Sequence, residues 1–172
     1  MKMYRNQDNN QGMRKIACAG IVSLVLALAM ASAARAAADP PKAWQDVRAL
    51  VVRFNDAENS QNSGVLSALL LDSPSLSWSN GVNTALGHDA VIAQLPFLYG
   101  SMMSILPDYS ALTIDVLSPT EADVTMPTQF RSESLMSDAV MTSSLVRERA
   151  VKTPDGWRLS SIDTQPAPLR AR

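Results

Sequence analysis

The 172-residue sequence predicts a single α+β domain in which one long amphipathic helix covers one face of an antiparallel sheet. Three observations carry this. From Trp44 to Asn59 the apolar residues fall at Trp44, Val47, Val51 and Phe54, with Leu50 beside them, which is the three-and-four spacing of one buried helix face. After Pro107-Asp108-Tyr109 the apolar period drops to two, the signature of half-buried strands. An antiparallel sheet with one wet face needs cover on the other, and the upstream helix supplies it.

Taken in order, Asp39-Pro40-Pro41 is a rigid lead-in with proline where a helix start tolerates it. The first helix turns Gln45, Asp46, Arg48, Arg53 and Asp56 to water and ends near Asn59. Asn62-Ser63 caps a short second helix bearing Val65, Leu66, Leu69 and Leu70, which Asp72-Ser73-Pro74 stops. Ser75 to Ser79 is a short strand with Leu76 and Trp78 on one face. Asn80-Gly81 is a turn, and Gly87 precedes a third helix over His88 to Ser104 that Pro96 should kink or divide.

The remaining chain reads as a four-strand meander. Leu112, Ile114 and Val116 alternate with polar residues, as do Val124, Met126, Thr128 and Phe130. Ala139 to Lys152 is a long strand with Val140, Thr142, Ser144 and Val146 on one side and Met141, Leu145, Arg147 and Arg149 on the other. Thr153-Pro154-Asp155-Gly156 turns into the last strand, Trp157 to Thr164, and the Pro-rich tail from Gln165 is expected to fray.

The N-terminus reads as an export segment. Arg14 and Lys15 precede the apolar run Ile16 to Met30, and small residues follow with Ala34-Arg35-Ala36 or Ala36-Ala37-Ala38 as the cleavage triplet. The expected division is therefore residues 1–38 as signal peptide, with Met13 as an alternative start, 39–168 as the domain and 169–172 as a tail. The address is periplasmic or secreted. The only cysteine, Cys18, lies in the segment to be removed, so the mature domain must rely on packing in place of cross-links. From Ala37 on there are 10 Lys and Arg against 15 Asp and Glu, a net of −5. A mildly acidic chain with no basic cluster argues against nucleic acid, and against a membrane surface once the signal is cut.

Several site chemistries lack a motif. His88 is the sole histidine, has no companion His or Cys, and most simply helps to begin its helix, so no metal site is expected. There is no G-x-S-x-G and no Gly-rich phosphate loop, so nucleophilic hydrolysis and nucleotide cofactors are not expected.

The long first helix, the short helix SGVLSALL, the strand SLSW, the Gly87 loop and the closing hairpin KTPDGWRLSSID together resemble the NTF2-like superfamily, and within it the SnoaL-like and DUF4440-like branch. The resemblance covers Ala43 to Pro168, with DGWRL its most recognisable motif. It implies a cystatin-like, cone-shaped α+β half-barrel in which a curved antiparallel sheet wraps the N-terminal helix and leaves a pocket open at one end. It also implies a small apolar or amphipathic ligand and, from relatives of ketosteroid isomerase, isomerase- or cyclase-type proton transfer.

In that branch a polar residue four positions after the closing G-W-x-I pattern often faces the pocket. Here it is Asp163, where histidine is commoner. Asp163 is thus the candidate base, or else a rim carboxylate paired with Arg147 or Arg149. Tyr99 and Tyr109 are candidate hydrogen-bond donors to a ligand oxygen, while Trp78, Met126 and Phe130 are candidate lining, with core packing as the other reading of each. The alternative to an enzyme is a non-catalytic binding module or a homodimer. In the latter, Thr125, Gln129, Arg131, Arg147 and Arg149 would form a polar interface on the outer sheet face.

Overall fold

Helix α1 spans Lys42–Asn59 and buries the stripe Val47, Leu50, Val51, Phe54 and Ala57. The computed structural model describes residues 41–99, 104–134 and 137–167, with the side chains at 97–99, 133, 134 and 137 excepted. The expected export segment and cleavage site and the last residues of the tail lie outside them. Each fully buried Val, Leu or Phe of the stripe is worth about 1.5–3 kcal/mol, which holds the helix on the sheet in spite of its charged outer face.

Helix α2, Ser63–Leu69, begins where Asn62 Oδ1 accepts the Val65 N–H at 3.1 Å. After it, the Leu71 N–H donates to Leu159 O at 2.8 Å and fastens the chain to the last strand. A hairpin of β1 (Ser77–Ser79) and β2 (Thr84–Leu86) follows, and then helix α3, His88–Tyr99, which runs undivided through Pro96. Proline removes only one rung of its ladder, so α3 is kept as one helix. Of the rest of the expected third helix, residues 100–103 lie outside the described residues and Ser104 opens strand β3, Ser104–Pro107. Next come β4 (Thr113–Ser118), β5 (Glu121–Ser134), β6 (Ser137–Thr153) and β7 (Gly156–Pro166). Strand β7 thus takes in Gln165 and Pro166, which the sequence assigned to a frayed tail; the Ala167 N–H beyond them still donates to Ser143 O at 3.0 Å.

These seven strands form one curved, open sheet in the order β2-β1-β7-β6-β5-β3, with β4 on the same edge of β5 as β3. The sheet is mixed, not purely antiparallel, because β1 runs parallel to β7, Trp78 opposite Ile162. Strand β3 pairs with residues 128–131 of β5 and β4 with residues 121–125, so a gap falls between them. Pro127 sits in that gap, and its carbonyl accepts the Asp108 N–H at 2.9 Å. Proline is tolerated in this long strand because the donor it lacks would have pointed where no ladder runs.

A register shift between Arg149 and Ala150 on β6 leaves Ser160 of β7 as an extra residue, with Leu159 opposite Ala150 and Ser161 opposite Arg149. This β-bulge bends the paired strands and reverses the facing of every β7 residue after it. At the β6–β7 turn, Gly156 adopts a φ of +111°, a conformation that favours glycine.

The core lies between α1 and the concave face of the sheet and takes in Leu66, Leu76, Val91, Val124, Met126 and Leu159. Asn59, the last residue of α1, reaches β3 through two bonds: its Nδ2 donates to Ile105 O and the Ile105 N–H donates to its Oδ1, both at 2.8 Å. The amide side chain imitates a strand neighbour and ties the end of the helix to the sheet edge. Among the described residues no helix is long and apolar enough to cross a membrane.

Candidate ligand and proton-transfer site

Beside the C-terminal half of α1 the sheet leaves a cavity of about 180 Å³. For scale, an engineered apolar cavity of ~150 Å³ accommodates benzene, so there is room for a ligand built around one ring. The helix contributes Phe54, Asn55 and Glu58 to its lining. Trp78 and Phe130 are aromatic walls from opposite sides of the sheet, and Ile162 and Thr164 enter from β7. Most of this surface is apolar, and among the described residues no Lys, Arg or His lines it.

Alternation along β6 points Ser144, Val146, Glu148 and Ala150 inward, and all four are buried. Glu148 is the exception in chemistry: it is only 4 % exposed, yet its Oε2 has no hydrogen-bond partner among the described residues. Burial pushes its carboxyl up to about 8. Glu58 is half-buried with its carboxyl end in the same cavity, and it too is pushed up to about 8, first by burial and then by the charge of Glu148. Two carboxyls facing one hollow cannot both ionise cheaply, so at neutral pH the pair retains protons.

Two donors around the pair are already engaged. Asn55 Nδ2 donates to Val51 O at 2.8 Å and Thr128 Oγ1 to Met126 O at 3.4 Å. Tyr109, half-buried just beyond β3, hydrogen-bonds the Asn55 side chain; burial, then the charges of Asp56 and Glu148, raise its hydroxyl above the usual tyrosine range.

Of the residues singled out in the sequence, Trp78 and Phe130 line the cavity and Tyr109 stands next to it. Met126 is buried in the core and is not part of the lining. Tyr99 closes α3, and its side chain lies outside the described residues. Asp163 is a correction. It stands opposite Arg147 in the ladder and accepts from Gln165 Nε2 at 2.7 Å on the outer face, while its neighbours Ile162 and Thr164 face the cavity. Simple alternation from Trp157 and Leu159 placed it inside, and the bulge at Ser160 turns it out. Its expected partner Arg149 instead makes a bidentate pair with Asp123 at 2.8 and 3.0 Å. His88 Nε2 lies 3.2 Å from Ser67 Oγ, joining α3 to α2.

The sequence reading passed over Glu58, Asn55 and Glu148, although two carried a signal. Glu58 is the next position of the stripe that runs through Val47, Val51 and Phe54, and Glu148 continues the inward alternation of Ser144 and Val146 between two arginines. An acid at an apolar position of two converging elements is the pattern that marks a site.

The arrangement of one helix against a curved, open sheet with a hollow beside it is the NTF2-like, cystatin-like fold. A candidate dehydratase of the NTF2-like family from Streptomyces avermitilis superposes with a TM-score of 0.67 at 20% identity, over 76% of this chain and 100% of that one. A candidate scytalone dehydratase from Novosphingobium aromaticivorans gives 0.64 at 15% identity, covering 75% and 89%. An NTF2-like protein with a cystatin-like fold from the same organism gives 0.61 at 17% identity over 93% and 95%. No family profile matches the sequence, and no curated protein sequence does either. What is shared with these structures is the fold.

Proposed function

We propose that this protein binds a small apolar or amphipathic molecule in the cavity beside α1 and moves a proton on it, with Glu148 and Glu58 as the acid–base pair. The observation that carries this reading is the buried carboxyl oxygen of Glu148, left without a partner among the described residues inside a largely apolar hollow. In the form of the pair that carries a single proton, the neutral carboxyl protonates a ligand oxygen while the ionised one removes a proton from the adjacent carbon. This chemistry serves enolisation and loss of water alike. That two structures of the same fold are described as candidate dehydratases supports the class of reaction.

The test is a panel of enolisable and β-hydroxy ketones assayed with the parent protein, Glu148→Gln and Glu58→Gln. Turnover that falls at least a hundredfold in either variant supports the assignment. A parent that turns over nothing removes the enzyme reading, and a Glu148→Gln protein of parental rate removes the pair.

A second reading, a homodimer joined through the outer sheet face, is favoured by Leu106 and Met141, which are 47% and 49% exposed. Sedimentation across a hundredfold concentration range tests it, and a monomer throughout ends it. We also infer export to the periplasm or beyond, supported by Arg14-Lys15 and the apolar run after them. N-terminal sequencing of exported protein should begin at Ala37 or Asp39.

A further inference from the structure

The lining of the cavity bears on what kind of molecule it selects. Among the described residues no cationic side chain faces it, Asn55 Nδ2 and Thr128 Oγ1 donate to backbone carbonyls, and Asn80 Oδ1 already accepts from the Val82 and Asn83 N–H groups at 3.2 and 2.8 Å. Asn80 Nδ2 and the Thr164 hydroxyl are neutral groups on the lining, and the Oε2 of Glu148 has no partner among the described residues. Beside it stand the π-faces of Phe54, Trp78 and Phe130. An unpartnered acceptor, aromatic walls and two carboxyls in one enclosure are the elements of a site for an organic cation.

We infer that the ligand is a hydrophobic amine: one ring held between Trp78 and Phe130, with a protonated nitrogen donating to Glu148. This rests on the cavity being the binding site, and it narrows the ligand class within that reading. Among the described residues an anionic ligand would meet two acids and no countercharge, and an uncharged one would form no ion pair with Glu148. Binding has a proton balance. The ammonium keeps its own protons, the carboxyl that pairs with it gives one up, and that proton passes to the buffer while the second carboxyl stays neutral.

Titration calorimetry with benzylamine, benzyl alcohol and benzoate tests this at pH 6.5, in two buffers of different ionisation enthalpy. Benzylamine is expected to bind at least tenfold more tightly than benzyl alcohol, with benzoate weaker still, and to release about one proton per molecule bound. In Glu148→Gln the preference for amine over alcohol should fall by about 10- to 100-fold, the worth of a charged hydrogen bond. Glu58→Gln, which leaves the deeper carboxyl in place, should keep the amine preferred. Alcohol or benzoate binding as tightly as the amine, or amine binding with no proton release, overturns the amine assignment and leaves the cavity as the site. Binding by none of the three overturns both.

Discussion

Replacing Glu148 with glutamine keeps the shape of the side chain and removes its charge, so the consequence for stability can be worked out in advance. Burial raises this carboxyl from 4.5 to about 8. The folded protein therefore holds a proton between those values that the unfolded chain has released. The stabilisation that goes with this proton is fully present below pH 4.5 and is lost as pH rises through 8, at about 1.4 kcal/mol per pH unit. Carried over the whole interval, that amounts to roughly 5 kcal/mol as a ceiling. Relaxation and water penetration around the ionised group should bring it down to about 2–3 kcal/mol. Glu148→Gln does not titrate and also removes part of what raises Glu58. Relative to the parent it should gain stability steadily from pH 5 to pH 8 and level off above. Urea unfolding followed by tryptophan fluorescence at half-unit pH intervals measures the difference, with a constant m-value showing that the denatured state is unchanged. Parallel curves, or a variant that loses ground toward pH 8, would mean that Glu148 is already ionised and compensated, and the reasoning from burial would be wrong.

Three further outcomes follow from the packing. Phe54→Ala removes a buried ring that belongs to both the core and the cavity wall, and thermal and urea unfolding should show a loss of about 3–4 kcal/mol. Asn59→Ala cuts both bonds to Ile105; it should cost about 1–2 kcal/mol, and native-state hydrogen exchange at the Ile105 amide should quicken selectively. Asp163→Asn should leave cavity ligand affinity within twofold of the parent by calorimetry, because its carboxylate faces away. A tenfold loss would put Asp163 back in the site.

Much of this fold is written in local periodicity. The stripe from Val47 to Phe54 fixes α1 and its buried face, Asn62 fixes the start of α2, and alternation fixes the inward residues of β4, β5 and β6. Such features depend only on residues three, four or two apart, so the sequence determines them alone. The partners of the short strands are another matter. Trp78 lies beside Ile162 through a parallel pairing across 84 positions, and residues 104–107 become a strand only because β5 offers an edge to them. Nothing local encodes either contact. The candidate site shows the same division. Glu58 and Glu148 each occupy an apolar position that the sequence displays, but only the tertiary structure brings the end of α1 against the middle of β6 and makes two isolated acids a coupled pair. One extra residue at Ser160 then decides that Asp163 is not among them, because a bulge reverses facing without altering the pattern of residue types around it.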